Sequence, residues 1–185
     1  MSFVRSLSAQ DAPVTVKSFY ENGDPGPLTG TMAHVPEMLL TAMPFIGGMF
    51  GPSGLDFRTK EIVVLRTSAI HRCRYCVETH TVVAMGADLT REQLQSLRLE
   101  SESDGAFSEP KDVVLLRWVD AVANSGEVIS DELRAEMTEH FEDYEVVEIT
   151  MLVGATMMLN RYATALQLPT SAATITRLQE NHWLS

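Results

Sequence analysis

The sequence is poor in cysteine, in basic residues and in long apolar runs. Only 2 of its 185 residues are cysteine, too few for a disulfide-stapled scaffold. A chain of this length buries roughly 70% of its unfolded surface and needs no such staple. Lysine and arginine number 14 against 25 aspartates and glutamates, a formal charge of −11. A surface of that sign repels phosphate backbones and anionic headgroups, which argues against nucleic-acid and membrane-surface binding. The excess acid itself reads as a solubility feature. The most apolar stretch, 146–168, is interrupted by Glu148, Asn160 and Arg161. It reads as a buried core helix, since a membrane span needs about 20 nearly uncharged residues. The N-terminal residues hold no apolar run of the secretory kind. The expectation is a cytoplasmic protein, where thiols are reduced and a close cysteine pair serves catalysis or metal binding.

What is present is mostly helical pattern, and the length favours one domain. Residues 1–30 carry Pro13 and the run Asn22-Gly23-Asp24-Pro25-Gly26-Pro27. They are expected to form a loop-rich arm with little helix, packed on the body or on a neighbouring subunit. Residues 31–185 are expected to form a single helical domain. Met38, Leu39, Met43, Ile46 and Met49 predict a helix over 36–50, broken by Gly47-Gly48 and by the Gly51–Gly54 stretch. Asp56 is placed to cap a helix over 57–70. A third helix runs from Arg74 to about Met85, and Thr90 with Gln93 forms a capping box for a short helix to about Arg98. The acidic segment 99–110 reads as a linker between two halves of the domain. Beyond it, helices are predicted over 111–124, stopped at Asn124-Ser125-Gly126, and over 131–140 after Ser130. A long helix over 143–166 takes Asp143 as its cap, and a short one covers 171–179. Strand signals are scarce and never alternate with helices, so the class is all-α.

One segment concentrates chemistry. Both cysteines lie in Cys73-Arg74-Tyr75-Cys76-Val77-Glu78-Thr79-His80, with Glu61 twelve residues before Cys73. At roughly 100° per residue, steps of three and seven residues bring Cys73, Cys76 and His80 to one helix face. Side chains three apart on a helix have Cβ atoms about 5–6 Å apart, and slight tightening of the first turn admits a disulfide. The amides and dipole of that turn, with Arg72 and Arg74 alongside, favour thiolate. His80 sits one turn past Cys76, in reach of its proton. Such a histidine wants a carboxylate to fix its tautomer, and Glu61 is the candidate if the two helices pack antiparallel. Other readings stand beside this one. The cysteines with His80 could be zinc ligands, with Glu61, His71 or His140 as the fourth, although closed zinc sites usually join two separated ligand pairs. Two inert buried cysteines are a further alternative. Tyr75 is either a donor to the site or a packed ring, and His71 either assists or ends a helix. No glycine-rich phosphate loop is present. Neither a resident cofactor nor a bound metal is expected.

The spacing E-x11-C-x-x-C-x-x-x-H, with MGADLTREQLQSL after it and VVEITMLVGATMMLNRYATAL over 146–166, resembles the AhpD-like alkylhydroperoxidase branch of the carboxymuconolactone decarboxylase superfamily. The resemblance covers most of residues 35–168. It implies an all-helical bundle that assembles as homo-oligomers, trimers or hexamers. It also implies that Cys76 attacks the peroxide and Cys73 resolves the resulting sulfenic acid. Glu61 and His80 relay the proton, and a dithiol donor such as a lipoyl-bearing protein restores the thiols. Where the best-known peroxidases of this kind have histidine between the cysteines, this chain has Tyr75. The expected activity is reduction of organic hydroperoxides. The alternatives are a lyase acting on a small lactone acid, although the decarboxylase branch lacks this cysteine pair, and a non-catalytic redox sensor.

Overall fold

The computed structural model describes residues 2–101, 105–124, 126 and 128–184. Ser125, expected to help end a helix, and residues 102–104 of the expected acidic linker lie outside the described residues. Among the described residues there are nine α-helices, one 3-10 helix and no strand. The α-helices are α1 (Gly26–Met32), α2 (Pro36–Phe50), α3 (Phe57–Ile70), α4 (Arg74–Ala84), α5 (Arg91–Leu97), α6 (Pro110–Ala123), α7 (Asp131–His140), α8 (Asp143–Ala165) and α9 (Ala172–Glu180). No helix among them is long and apolar enough to cross a membrane.

The caps follow local chemistry. Asp56 accepts from the Thr59 amide at 2.8 Å and from its hydroxyl at 2.7 Å. Thr90 and Gln93 close a reciprocal capping box. The long helix corrects its expected cap by one residue. Glu142 occupies that position and Asp143 is the first helical residue, because the carboxylate three places on, Glu145, reaches back to the Glu142 amide at 2.8 Å. Gly47-Gly48 do not break α2, which continues to Phe50. Glycine weakens a helix by about 1 kcal/mol per residue without barring it. Here Lys60 Nζ supports that helix end by donating to the carbonyls of Met49 at 3.1 Å and Gly51 at 2.6 Å.

The arm holds more helix than its punctuation suggested. A 3-10 helix spans Val14–Tyr20 and α1 carries Pro27 in its first turn, where proline's fixed φ and missing N–H cost nothing. The arm lies on the body of its own chain. Phe3 donates its amide to Leu166 O at 2.9 Å, the Tyr20 hydroxyl donates to Leu7 O at 3.0 Å, and Leu7, Val16 and Tyr20 are buried with Leu39 of α2.

Helix α3 is the axis of the body, packed against α4, α6 and α8. Ile62, Val63, Val64 and Leu65 are all buried, so this helix shows no exposed face. Burial of each such side chain contributes about 1.5–3 kcal/mol. Paired forks fix α6 on α3: Arg58 grips Asp112 at 2.8 and 2.5 Å, and Arg66 grips Asp120 at 2.6 Å through both nitrogens. In contrast, α2 is apolar but mostly uncovered, presenting Met38, Leu40 and Phe45 to solvent.

Candidate active site

The site is built at the corner between α3 and α4. Helix α3 ends with the Cys73 amide donating to Ser68 O and the Arg72 amide to Ala69 O, both at 3.0 Å, a Schellman closure. Arg72 takes the left-handed conformation usually left to glycine, with φ 52°. The chain therefore turns within two residues, and Cys73 becomes the N-cap of α4. Its sulfur accepts from the Cys76 amide at 3.4 Å. The two cysteines are joined as a disulfide, with Cα atoms 5.3 Å apart. Both are buried, packed with Ala163 and Leu168 and flanked by Tyr75.

Because α3 and α4 form a tight hairpin, Glu61 faces His80 across it. Glu61 Oε2 lies 3.0 Å from His80 Nδ1. The carboxylate is buried and the imidazole partly open, with side-chain exposures of 6% and 22%. A carboxylate held on Nδ1 leaves Nε2 as the nitrogen turned toward chemistry. The Phe50 ring packs beside the imidazole, 6.0 Å between centroids.

Two cavities meet the dithiol from different sides. One, of about 220 Å³, is lined by Cys76 and His80 and by apolar side chains including Leu28, Ile46, Phe50 and Val64. The other, of about 480 Å³, is more polar and borders Cys73, Arg72, Arg74, Gln167 and Thr170. Tyr75 lines both and stands between them. Burial pushes the Tyr75 phenol above its ordinary pKa, so the ring stays neutral.

Glu61, Cys73, Cys76 and His80 are thus brought together as one group, with Tyr75 packed against the cysteines. His71 is not part of it. Its Nε2 lies 3.1 Å from Ala123 O at the end of α6, because the C-cap position turns its side chain away from α4. Arg74 pairs with Glu78 at 2.7 Å. Among the described residues no three His, Cys, Asp or Glu side chains are grouped to hold a metal ion. Ser68, Thr156 and Asn160 also line the smaller cavity, and none of them stood out in the sequence as a site residue. The one signal they carried is an asparagine on the buried face of an otherwise apolar helix.

Residues 36–120 match the Carboxymuconolactone decarboxylase family. A peroxidase-related protein of Ralstonia eutropha with an alkylhydroperoxidase AhpD core superposes with TM-score 0.79 at 17% identity, covering 94% of each chain. A protein of unknown function from Agrobacterium tumefaciens, a suggested AhpD-type antioxidant-defence protein, shares 27% identity with TM-score 0.69, over 76% of this chain and 95% of that one. Over residues 36–120 the chain matches that decarboxylase family, and its all-α fold is the AhpD-like one. The same fold is found with other chemistry: a debrominase crystallised with a tribromopyrrole matches at 16% identity and TM-score 0.71, covering 84% of this chain and 82% of its own. The matched segment contains the whole Glu61–Cys73–Cys76–His80 group.

Proposed function

We propose that this protein is a thiol-dependent peroxidase, reducing organic hydroperoxides through the Cys73–Cys76 dithiol. The observation that carries this reading is the apolar cavity shared by Cys76 and His80, with Glu61 bonded to the far nitrogen of that histidine. In the reduced protein the first turn of α4 favours thiolate, and His80 Nε2 takes the Cys76 proton. The thiolate attacks the terminal oxygen of R–O–O–H. An S–O bond forms, the O–O bond breaks, and the alkoxide leaves as ROH with the proton from His80. The Cys76 sulfenic acid then condenses with the Cys73 thiol, forming the disulfide and releasing water. The sum is dithiol plus ROOH giving disulfide, ROH and water. A second, external dithiol restores the pair by exchange and becomes a disulfide itself; a lipoyl-bearing protein is the donor class this reading favours.

The decisive experiment follows hydroperoxide consumption by the reduced protein in excess dithiothreitol. Wild type turns over and Cys76→Ser does not. Equal consumption by the two would defeat the proposal. The chain also reads as a homo-oligomer, supported by the solvent-facing Met38, Leu40 and Phe45 of α2 and Tyr144, Val147 and Met151 of α8. Light scattering is expected to give a multiple of 20.5 kDa; a monomeric mass at micromolar concentration counts against it.

A further inference from the structure

The smaller cavity is not apolar throughout. At one end lie Ser68 of α3 and Thr156 and Asn160 of α8, all buried, with 0%, 2% and 1% exposure. Asn160 Nδ2 donates to Ser68 Oγ at 3.1 Å, which fixes the amide. Its Oδ1, and the Thr156 hydroxyl oxygen, have no hydrogen-bond partner although neither is open to solvent. A buried polar atom left unpaired is costly, and native proteins rarely keep one without a use. Both atoms belong to residues that line the same cavity as Cys76 and His80. An amide oxygen can only accept, so the missing partner is a donor. Apart from Thr79, Tyr75 and the Cys76–His80 pair, the remaining wall is hydrocarbon and aromatic: Leu28, Ile46, Phe50, Val64 and Leu159.

We propose that Asn160 and Thr156 are substrate-recognition residues, binding the O–H group of a small, otherwise apolar organic molecule in the cavity beside Cys76. This inference rests on the peroxidase reading for its biological meaning, but the binding preference stands by itself. The cavity measures about 220 Å³, and one of about 150 Å³ already holds benzene. A ring or short branched chain carrying one hydroperoxide therefore fits. The terminal O–H of that hydroperoxide is the donor Asn160 Oδ1 lacks. No water-sized group reaches that oxygen in the ligand-free protein, so accepting the O–H requires the side chains over it to move apart. It then holds the terminal oxygen in the cavity that Cys76 lines. The ROH product carries the same donor. A hydrocarbon of equal shape leaves both protein atoms unpaired, the arrangement that discriminates most strongly between ligands.

The test uses the oxidised, disulfide form and two non-reactive probes, 2-phenyl-2-propanol and isopropylbenzene, which differ by one hydroxyl. Binding is measured by ligand-detected NMR on wild type, Thr156→Val and Asn160→Leu. Wild type is expected to favour the alcohol, and each substitution to shift the ratio of the two dissociation constants toward the hydrocarbon by about tenfold. Thr156→Val is not expected to lower the melting temperature of the ligand-free protein, since it deletes an unpaired buried hydroxyl, whereas Asn160→Leu also removes the bond to Ser68 and is expected to lower it. For Thr156→Val a structural role predicts the reverse, lower stability and an unchanged ratio; for Asn160→Leu the ratio alone decides. The same ratio in all three proteins overturns the inference, as does a wild-type preference for the hydrocarbon. Should Asn160→Leu fail to fold, the near-isosteric Thr156→Val carries the comparison. With cumene hydroperoxide as substrate, the variants should raise KM while single-turnover reduction of the disulfide by dithiothreitol keeps its rate. Absence of turnover in wild type counts against the peroxidase reading alone; the ratio of the two probe affinities then still decides whether Asn160 and Thr156 recognise an O–H group.

Discussion

Lys60 and Glu61 are neighbours on α3, both charged and both buried, yet their surroundings are built on different plans. Lys60 directs its three N–H donors at three acceptors: the carbonyls of Met49 and Gly51, and Glu148 Oε1 at 3.0 Å. Glu148 is itself bonded to the Ser53 hydroxyl. Burial pushes the Glu148 carboxyl up, but Ser53 and Lys60 outweigh it and hold the pKa below the ordinary value. The network is closed, and it clamps the end of α2 and the following loop to α3 and α8. Glu61 instead supports one partner, His80, whose ring borders a cavity also lined by Cys76, Thr156 and Asn160. The first network leaves no polar group of Lys60 unmet, whereas two of the residues beside His80 keep buried polar atoms without a partner.

The contrast predicts opposite phenotypes for two carboxylates on the two networks. Glu61→Gln keeps the size and the buried contacts but removes the charge that holds the His80 tautomer. Peroxide turnover is expected to fall about 10²- to 10⁴-fold, the usual worth of a positioned acid–base group, with little change in melting temperature. An unchanged rate, or an equal loss of stability, would erase the distinction between the networks. Glu148→Ala leaves the Lys60 ammonium buried without its counter-ion and should cost about 3–5 kcal/mol of stability, read by urea unfolding. Disulfide formation with hydroperoxide in the folded fraction should persist. The pH dependence has a definite sign. Because the folded pKa of Glu148 lies below its unfolded value, its contribution is present above the unfolded pKa and disappears as pH falls through the folded one. The gap in stability between wild type and Glu148→Ala should therefore narrow on acidification. A gap that widened in acid would mean that Glu148 is not held as the anion.

The two sides of the dithiol extend the same contrast. Cys73 is drawn into backbone structure as the N-cap of α4, while Cys76 lines the apolar cavity with His80. That division fits a resolving and an attacking thiol respectively, and Tyr75 lies between the two cavities as a neutral partition.

Local relations were readable in the chain. Asp56 before Phe57, Thr90 before Gln93 and Ser130 before Asp131 each mark a helix start through contacts spanning three residues. The C-x-x-C-x-x-x-H spacing likewise required one helix and nothing else. One expectation failed because a distant group decided the outcome. Gly47-Gly48 stayed helical with a lysine eleven residues beyond Met49 holding the helix end; His71 took the helix-end role, one of the two the sequence left open, with its ring toward α6. The sequence by itself determined the all-α class, the helix caps and the placing of both thiols on one helical turn, because these depend on neighbours within four residues. Only the tertiary structure decided that Glu61 meets His80 from 19 residues away, and that Asn160 reaches Ser68 across 92 and keeps its own oxygen buried without a partner. Those pairings depend on how α3, α4 and α8 pack, and helical periodicity sets which face a residue occupies but not which face it meets.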